Sequence, residues 1–435
     1  MGEYSRSKEF RKKSDFQMNK DHRRGATAIL SKYDKDSGYS RDHGLKKSLL
    51  TAHKEEKHQP TILIKTREGE RAVSPNSKTS STSTPKKDES AQPVYQLQSK
   101  PSATENTAPV EMTTPVKLLD LETLTLVDNC LEYLSDQSDF LVVGIAGYQG
   151  VGKSTIISLL ADPKALADRK FLFGIEKQSD IELGLHRTDG VNMYVTKSRI
   201  IYLDTQPIMS PSVHVKLLQQ QDSISGKKFQ HSDYPYECSD VEIQSLQLIT
   251  FLFSICHIVL FVQDFWFDPD ALRFLQTAEM LKPSTPTSVD ETMVEYFPHI
   301  LFLHNKSQPS DFEPRTIKEM QDIYCKAFFH SRLQFQTGFG IANGAINPVL
   351  NPESCGELIN LYLLPEIDAE PCAYNGHSGF GDLIRQLRRQ ILSTPRTPLT
   401  HSTLTEKNWF HYAFKVWDGI KKSTFFNEYH RLLNV

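Results

Sequence analysis

Gly147-Tyr148-Gln149-Gly150-Val151-Gly152-Lys153-Ser154 places a glycine, four residues and then Gly-Lys-Ser, the spacing of a phosphate-binding loop. The flanks give the run its meaning. Phe140-Leu-Val-Val-Gly-Ile145 before it is a short apolar run that reads as a buried strand, and Thr155-Ile-Ile-Ser-Leu-Leu160 after it reads as the start of a helix. A triphosphate needs strand, glycine loop and helix in that order. Backbone N–H groups at the helix N-terminus converge on the phosphates, the lysine reaches the outer ones, and the serine hydroxyl ligates Mg²⁺. Gly147, Gly150, Gly152, Lys153, Ser154 and Thr155 are therefore the candidate phosphate-binding residues. The alternative is a glycine turn without a ligand, in a degenerate copy of such a fold.

Working outward, the next requirement is an acidic residue at the end of a neighbouring strand, to hold Mg²⁺ through water. Arg199-Ile-Ile-Tyr-Leu-Asp204 supplies it and runs on into Thr205-Gln206-Pro207. GTPases usually read Asp-x-x-Gly here, and the glycine amide contacts the γ-phosphate. Proline at 207 has no N–H to give. The position after it, where small GTPases carry a water-orienting glutamine, is Ile208. Between loop and Asp204 lies His186-Arg-Thr188-Asp-Gly190, which resembles the first switch of dynamin-like and septin-like GTPases, with Thr188 as a third Mg²⁺ ligand. A plain turn into a strand reads equally well. Downstream, the apolar strand Pro298–His304 runs into Asn305-Lys306-Ser307-Gln308. Asn305 and Lys306 suit a base pocket, or a polar turn after a core strand. GTPases carry aspartate where Gln308 stands, and its two acceptors fix guanine. Gln308 has one carbonyl acceptor and adds a donor, so GTP and ATP both stay open.

Ile258-Val-Leu-Phe-Val262 is a further apolar strand. Helical spacing marks Ala271–Leu281, Thr316–Ala327 and Gly381–Leu392. Apolar strands alternating with amphipathic helices predict an α/β P-loop NTPase domain of the G-domain type, with a mainly parallel sheet and helices on both faces. The leucines between Leu118 and Leu134 predict a helix packed at the domain edge over 116–137. The stretch 207–240 shows no clear periodicity and reads as a long loop at the second-switch position.

The chain divides into a polar tail over 1–115, a domain over 116–395 and an aromatic helical extension over 396–435. The tail holds the low-complexity run Ser77–Pro85 and little apolar periodicity, which predicts disorder. Residues 1–60 carry fifteen Lys and Arg against nine Asp and Glu, while the whole chain has net charge −3. Such a basic start suits contact with RNA or an acidic partner, or mere solvation. Ser74-Pro75, Thr84-Pro85 and Thr114-Pro115 have the form of proline-directed phosphorylation sites, and Arg6 stands where a myristoylation signal needs Ser or Thr. Six scattered cysteines without CxxC spacing, and the lack of an apolar run of membrane length, predict a cytoplasmic or nuclear chain without a membrane span. In the extension, Trp409, Phe410, Phe414 and Trp417 suit a helix packed on its own domain, or an aromatic surface for a partner.

Four of these segments together, the loop Gly147–Ser154, Asp204-Thr-Gln-Pro207, His186-Arg-Thr-Asp-Gly-Val191 and Trp409…Val416-Trp417-Asp-Gly-Ile-Lys-Lys-Ser423…Glu428-Tyr429, resemble the SMG-nine family of nonsense-mediated mRNA decay factors. The likeness covers roughly residues 118–435 and leaves out the tail. It implies a G-domain-like fold, pairing with an SMG-eight-like subunit, and binding and restraint of the SMG-one kinase. The residues favour a regulatory subunit for which a purine nucleoside triphosphate or diphosphate with Mg²⁺ is a structural ligand, with slow hydrolysis or none, because Ile208 stands where the water-orienting glutamine would; Gln206, inside the motif, leaves residual hydrolysis open. The competing reading is an active switch GTPase of the dynamin or atlastin type.

Overall fold

The computed structural model describes residues 110–225, 237–264, 267–284, 295–368 and 377–433. Its eight strands are β1 (Val116–Asp120), β2 (Thr125–Leu126), β3 (Leu141–Gly147), β4 (Val191–Val195), β5 (Ile200–Thr205), β6 (Ile258–Gln263), β7 (His299–His304) and β8 (Leu361–Leu363). They form one sheet in the order β2-β1-β4-β5-β3-β6-β7-β8. The five strands from β5 to β8 in that order run parallel, and β4, β1 and β2 extend the β5 edge antiparallel. Every residue of β3, β5, β6, β7 and β8 is buried, as strands covered on both faces must be.

Eleven α-helices lie among the described residues: α1 (Lys153–Ala161), α2 (Ala165–Asp168), α3 (Gln178–Glu182), α4 (Pro211–Ser225), α5 (Glu237–Ile255), α6 (Pro269–Leu281), α7 (Pro314–Ala327), α8 (Pro352–Cys355), α9 (Phe380–Leu392), α10 (Glu406–Lys421) and α11 (Thr424–Leu433). Tyr202, paired with Val143, donates its hydroxyl to Leu160 O of α1. Gly144, the next residue of β3, faces Leu252 of α5, where a Cβ would lie 3.2 Å away. Successive strand residues point to opposite faces, so α1 and α5 cover opposite faces of the sheet. Tyr362 donates to Leu383 O, which places α9 on the α1 face. The mainly parallel sheet with helices on both faces is thus present, as are the three predicted helices as α6, α7 and α9. Among the described residues no helix is long and apolar enough to cross a membrane.

Two expectations are corrected. Residues 116–137 form no α-helix. They make β1, β2 and a 3-10 turn (Asp128–Tyr133), with β1 pairing antiparallel to β4. Of the leucines that suggested a helical face, Leu118, Leu119, Leu121, Leu126 and Leu134 are buried, Leu131 is half-buried and Leu124 is exposed. The stretch 207–240 is not an unstructured loop either, since it contains α4 and the start of α5. Readings that fall on residues 1–109 lie outside the described residues.

The aromatic segment after Pro398 is α10, capped by Thr405, whose hydroxyl accepts from Asn408 N at 3.2 Å. It packs on α5. Trp409 and Trp417 are fully buried, and their indoles donate to Ile255 O and Leu124 O, each at 2.9 Å. Phe410 is buried too, and only Phe414 of the four aromatics stands out, 53% exposed. The helix belongs to the hydrophobic core, so an aromatic docking face is not what these residues form.

Candidate functional site

The loop leaves β3 under tight geometric constraint. Gly147 has φ 150°, and a Cβ there would meet Val262 O at 2.2 Å. Gly152, at φ 93°, would drive a Cβ into the Asn305 amide at 2.6 Å. Gly150 is different: at φ 76° it has nothing within 4 Å of a Cβ position, so its backbone faces open cleft. Asn305 Nδ2 donates to Val151 O at 2.9 Å, and Lys306 Nζ donates to Gly150 O at 3.1 Å. The pair from the end of β7 thus braces the loop from the side.

A cleft of about 420 Å³ opens over this loop. Gly150, Gly152, Lys153, Ser154 and Thr155 line it from one side, Thr188 from a second, and Asn305 and Lys306 from a third. Gly147 is not among the lining residues. Nor is Gln308; its N–H donates to Asp311 Oδ2 at 2.7 Å and opens a short 3-10 turn. Sequence reading missed several lining residues: Glu176, Arg187, Glu366, Asp368 and Phe380. They arrive on loops and at a helix start, where no short spacing marks them.

At the inner end, Ser154 Oγ and Thr188 Oγ1 both donate to Asp204 Oδ2, at 2.8 and 2.9 Å, and lie 3.2 Å from each other. Asp204 is fully buried, and its other oxygen, Oδ1, has no hydrogen-bond partner among the described residues. Burial pushes its carboxyl up to about 6 despite those hydrogen bonds and the nearby Lys153. Two hydroxyls, a buried carboxylate and an orphaned oxygen converging on one point are a hard-oxygen donor set of the kind Mg²⁺ takes. Lys153, 7% exposed, donates to Tyr148 O at 2.7 Å. Burial lowers its ammonium to about 8, against the pull of Asp204 and Glu176. A buried cation capped only by a carbonyl beside an open glycine backbone fits a phosphate group.

The segment after Asp204 is engaged elsewhere. Gln206 Oε1 accepts from Gly190 N at 3.0 Å and its Nε2 donates to Gln244 at 2.9 Å, while Ile208 is fully buried. Gln149 ties the loop to the segment before β4 and to the segment after β5. Its amide donates to Leu185 O, and its carbonyl accepts from Ser210 and Ser212.

The strand order, the glycine loop after β3, the acidic end of β5 and the Asn-Lys pair after β7 define a P-loop α/β protein of the G-domain type. No protein-family model matches the chain. Curated proteins do. The chain is 39% identical over 384 residues to nonsense-mediated mRNA decay factor SMG9 of Xenopus laevis, covering 79% of this chain and 74% of that one. It is 38% identical over 382 residues to the Salmo salar protein of the same name, covering 78% and 74%. With Protein SMG9 of Drosophila melanogaster it shares 26% over 328 residues, covering 71% and 59%. The chain belongs to the SMG9 family of nonsense-mediated mRNA decay factors. Among solved structures it is similar to the GTP-bound GTPase-like domain of S. cerevisiae Ski7, at TM-score 0.27 and 13% identity over 59% of this chain and 50% of that one. So weak a likeness adds nothing to the topology above.

Proposed function

We propose that the chain is a nucleotide-binding regulatory subunit in nonsense-mediated mRNA decay. It holds a purine nucleoside triphosphate or diphosphate with Mg²⁺, pairs with an SMG-eight-like subunit and restrains an SMG-one-like kinase. The convergence of Ser154, Thr188 and the half-unpartnered Asp204 beside Lys153 carries the nucleotide part. The family resemblance carries the partners. Ser154 and Thr188 would hold the metal, with Asp204 behind them, and Lys153 would face the phosphates. Bound Mg²⁺ would supply charge neutralisation between the outer phosphates. A structural ligand fits better than a switch cycle. Pro207 offers no N–H, Gln206 is tied to Gly190 and Gln244, and buried Ile208 orients no water. Hydrolysis is therefore slow or absent.

Native mass spectrometry of the protein purified with its partner tests this. A retained nucleoside di- or triphosphate is the expected result. Bare protein that also fails to bind added Mg·ATP and Mg·GTP overturns the reading. Base choice is expected to be weak, because the position that reads guanine in GTPases is Gln308, which carries no carboxylate and stands outside the cleft lining. ATP and GTP should compete within a hundredfold of each other, about 2.7 kcal/mol. Replacing Gln308 by Asp should move the balance toward guanine. Competition binding that shows wider native selectivity contradicts this.

Lys153 sets a pH dependence. In the free protein its ammonium loses its proton near pH 8. Phosphates favour the charged form and raise that value, so binding above pH 8 takes up a proton. Affinity is full below pH 8 and falls as pH rises, by about tenfold at pH 9 relative to pH 7. Folding stability of the free protein runs the other way. Between about 8 and the ordinary 10.5 the unfolded chain holds more protons, so stability grows with pH. Calorimetric titration at the two pH values reads the first effect, and an affinity that is flat or rises with pH counts against it.

A further inference from the structure

Arg187 is an uncommitted cation at the metal end of the cleft. Its neighbours on both sides are pinned. His186 Nδ1 lies 2.7 Å from Ser212 Oγ and its Nε2 lies 2.9 Å from Asp189 Oδ1, while Thr188 donates to Asp204. The Arg187 backbone is thereby held, yet its guanidinium, which lines the cleft, has no hydrogen bond or ion pair among the described residues. Its stem runs across Gly174, where a Cβ would stand 3.4 Å from Cγ and 3.7 Å from Nε. The other exposed cation of the cleft, Lys306, is already engaged with Asp264 at 3.3 Å and Gly150 O. Arginine in a polar cleft normally finds a carboxylate. One left open beside a metal-type donor set is matched to an anion that arrives with the ligand, and a guanidinium fork suits phosphate oxygens.

We propose that Arg187 reads the length of the phosphate chain, pairing with the terminal phosphate and favouring the triphosphate over the diphosphate. The proposal rests on the reading of the cleft as a nucleotide site. Position argues for the terminal group. Thr188 joins Ser154 and Asp204 where a metal would be held, and a metal there would neutralise the outer phosphates, so the residue next to Thr188 belongs to that end of the cleft. Asn305 and Lys306 instead reach the middle of the loop, at Val151 O and Gly150 O.

The test is calorimetric titration of the full chain, with its partner where it needs one to stay folded, using Mg·ATP, Mg·ADP, Mg·GTP and Mg·GDP. Arg187→Ala should weaken whichever triphosphate binds by tenfold or more and the matching diphosphate by less than twofold. Arg187→Lys, which keeps the charge but not the fork, should fall between wild type and alanine. Melting of the nucleotide-free protein should not move, because the guanidinium has no partner to lose. Equal losses for tri- and diphosphate, or no loss for the triphosphate, overturn the proposal while leaving the nucleotide site standing. A wild-type protein that binds none of the four ligands removes the site itself and this proposal with it.

Discussion

Lys153→Ala is expected to weaken nucleotide binding at least a hundredfold, about 2.7 kcal/mol. The lysine is a buried positive charge of the cleft, beside glycines 147, 150 and 152 at positive φ. Removing it leaves phosphate oxygens facing Asp204 and Glu176 with less to balance them. The free protein should lose little, because the ammonium is held there against an unfavourable burial and answers only one carbonyl. Bound protein should differ strongly. Wild type gains about 2.7 kcal/mol of stability at ligand a hundred times its dissociation constant, and the variant gains about 0.4 kcal/mol or less at that concentration. Thermal melting with and without Mg·ATP or Mg·GTP separates the two. If the nucleotide is a structural ligand, pull-down of the SMG-eight-like partner should weaken in parallel. A variant that melts and pairs like wild type with nucleotide present contradicts the structural-ligand reading, and brisk wild-type hydrolysis would favour the switch.

The parts of this site that could be read ahead of the structure are those in which local spacing and chemistry coincide. The glycines at 147, 150 and 152 are required by backbone conformations that other residues adopt poorly, so the loop is visible as a pattern. β3, β6 and β7 are continuous apolar runs because both sheet faces are covered. α9 shows its buried stripe, Leu383, Ile384, Leu387 and Ile391, at helical spacing. Where the reading failed, two structures shared one pattern. Leucines at 118, 119, 121 and 126 fit a helix face as well as a hairpin, and antiparallel pairing with β4, remote in sequence, decides between them. α4 carries the polar run Gln219-Gln220-Gln221, which blurs its periodicity. Arg187, Glu366 and Asp368 reach the cleft only through the fold.

Glu406→Ala is expected to cost about 3–5 kcal/mol, the loss typical of removing one partner of a buried ion pair. Glu406 opens α10 and is fully buried. Its Oε2 accepts from Ser135 N at 2.7 Å and Ser135 Oγ at 2.8 Å, and Arg199 grips both carboxylate oxygens, with Nε to Oε1 at 2.6 Å. Arg199 itself sits at φ 57° in the turn between β4 and β5 and also donates to Tyr133 O. One carboxylate therefore fastens α10 to the β4–β5 turn and to the segment ahead of β3. Alanine leaves a largely buried guanidinium and the Ser135 N–H without their acceptor. Glu406→Gln keeps an oxygen for Ser135 but loses the charge and turns an N–H donor toward Arg199 Nε, so it should cost less than alanine without restoring the pair. Because Trp409 and Trp417 lie on the same helix and are buried, loosening of α10 should appear as a red shift of tryptophan emission at denaturant concentrations where far-ultraviolet circular dichroism of the sheet is still native. A Glu406→Ala variant within about 1 kcal/mol of wild type in urea melting, with unchanged emission, would show that apolar packing alone holds the helix and that the ion pair is incidental.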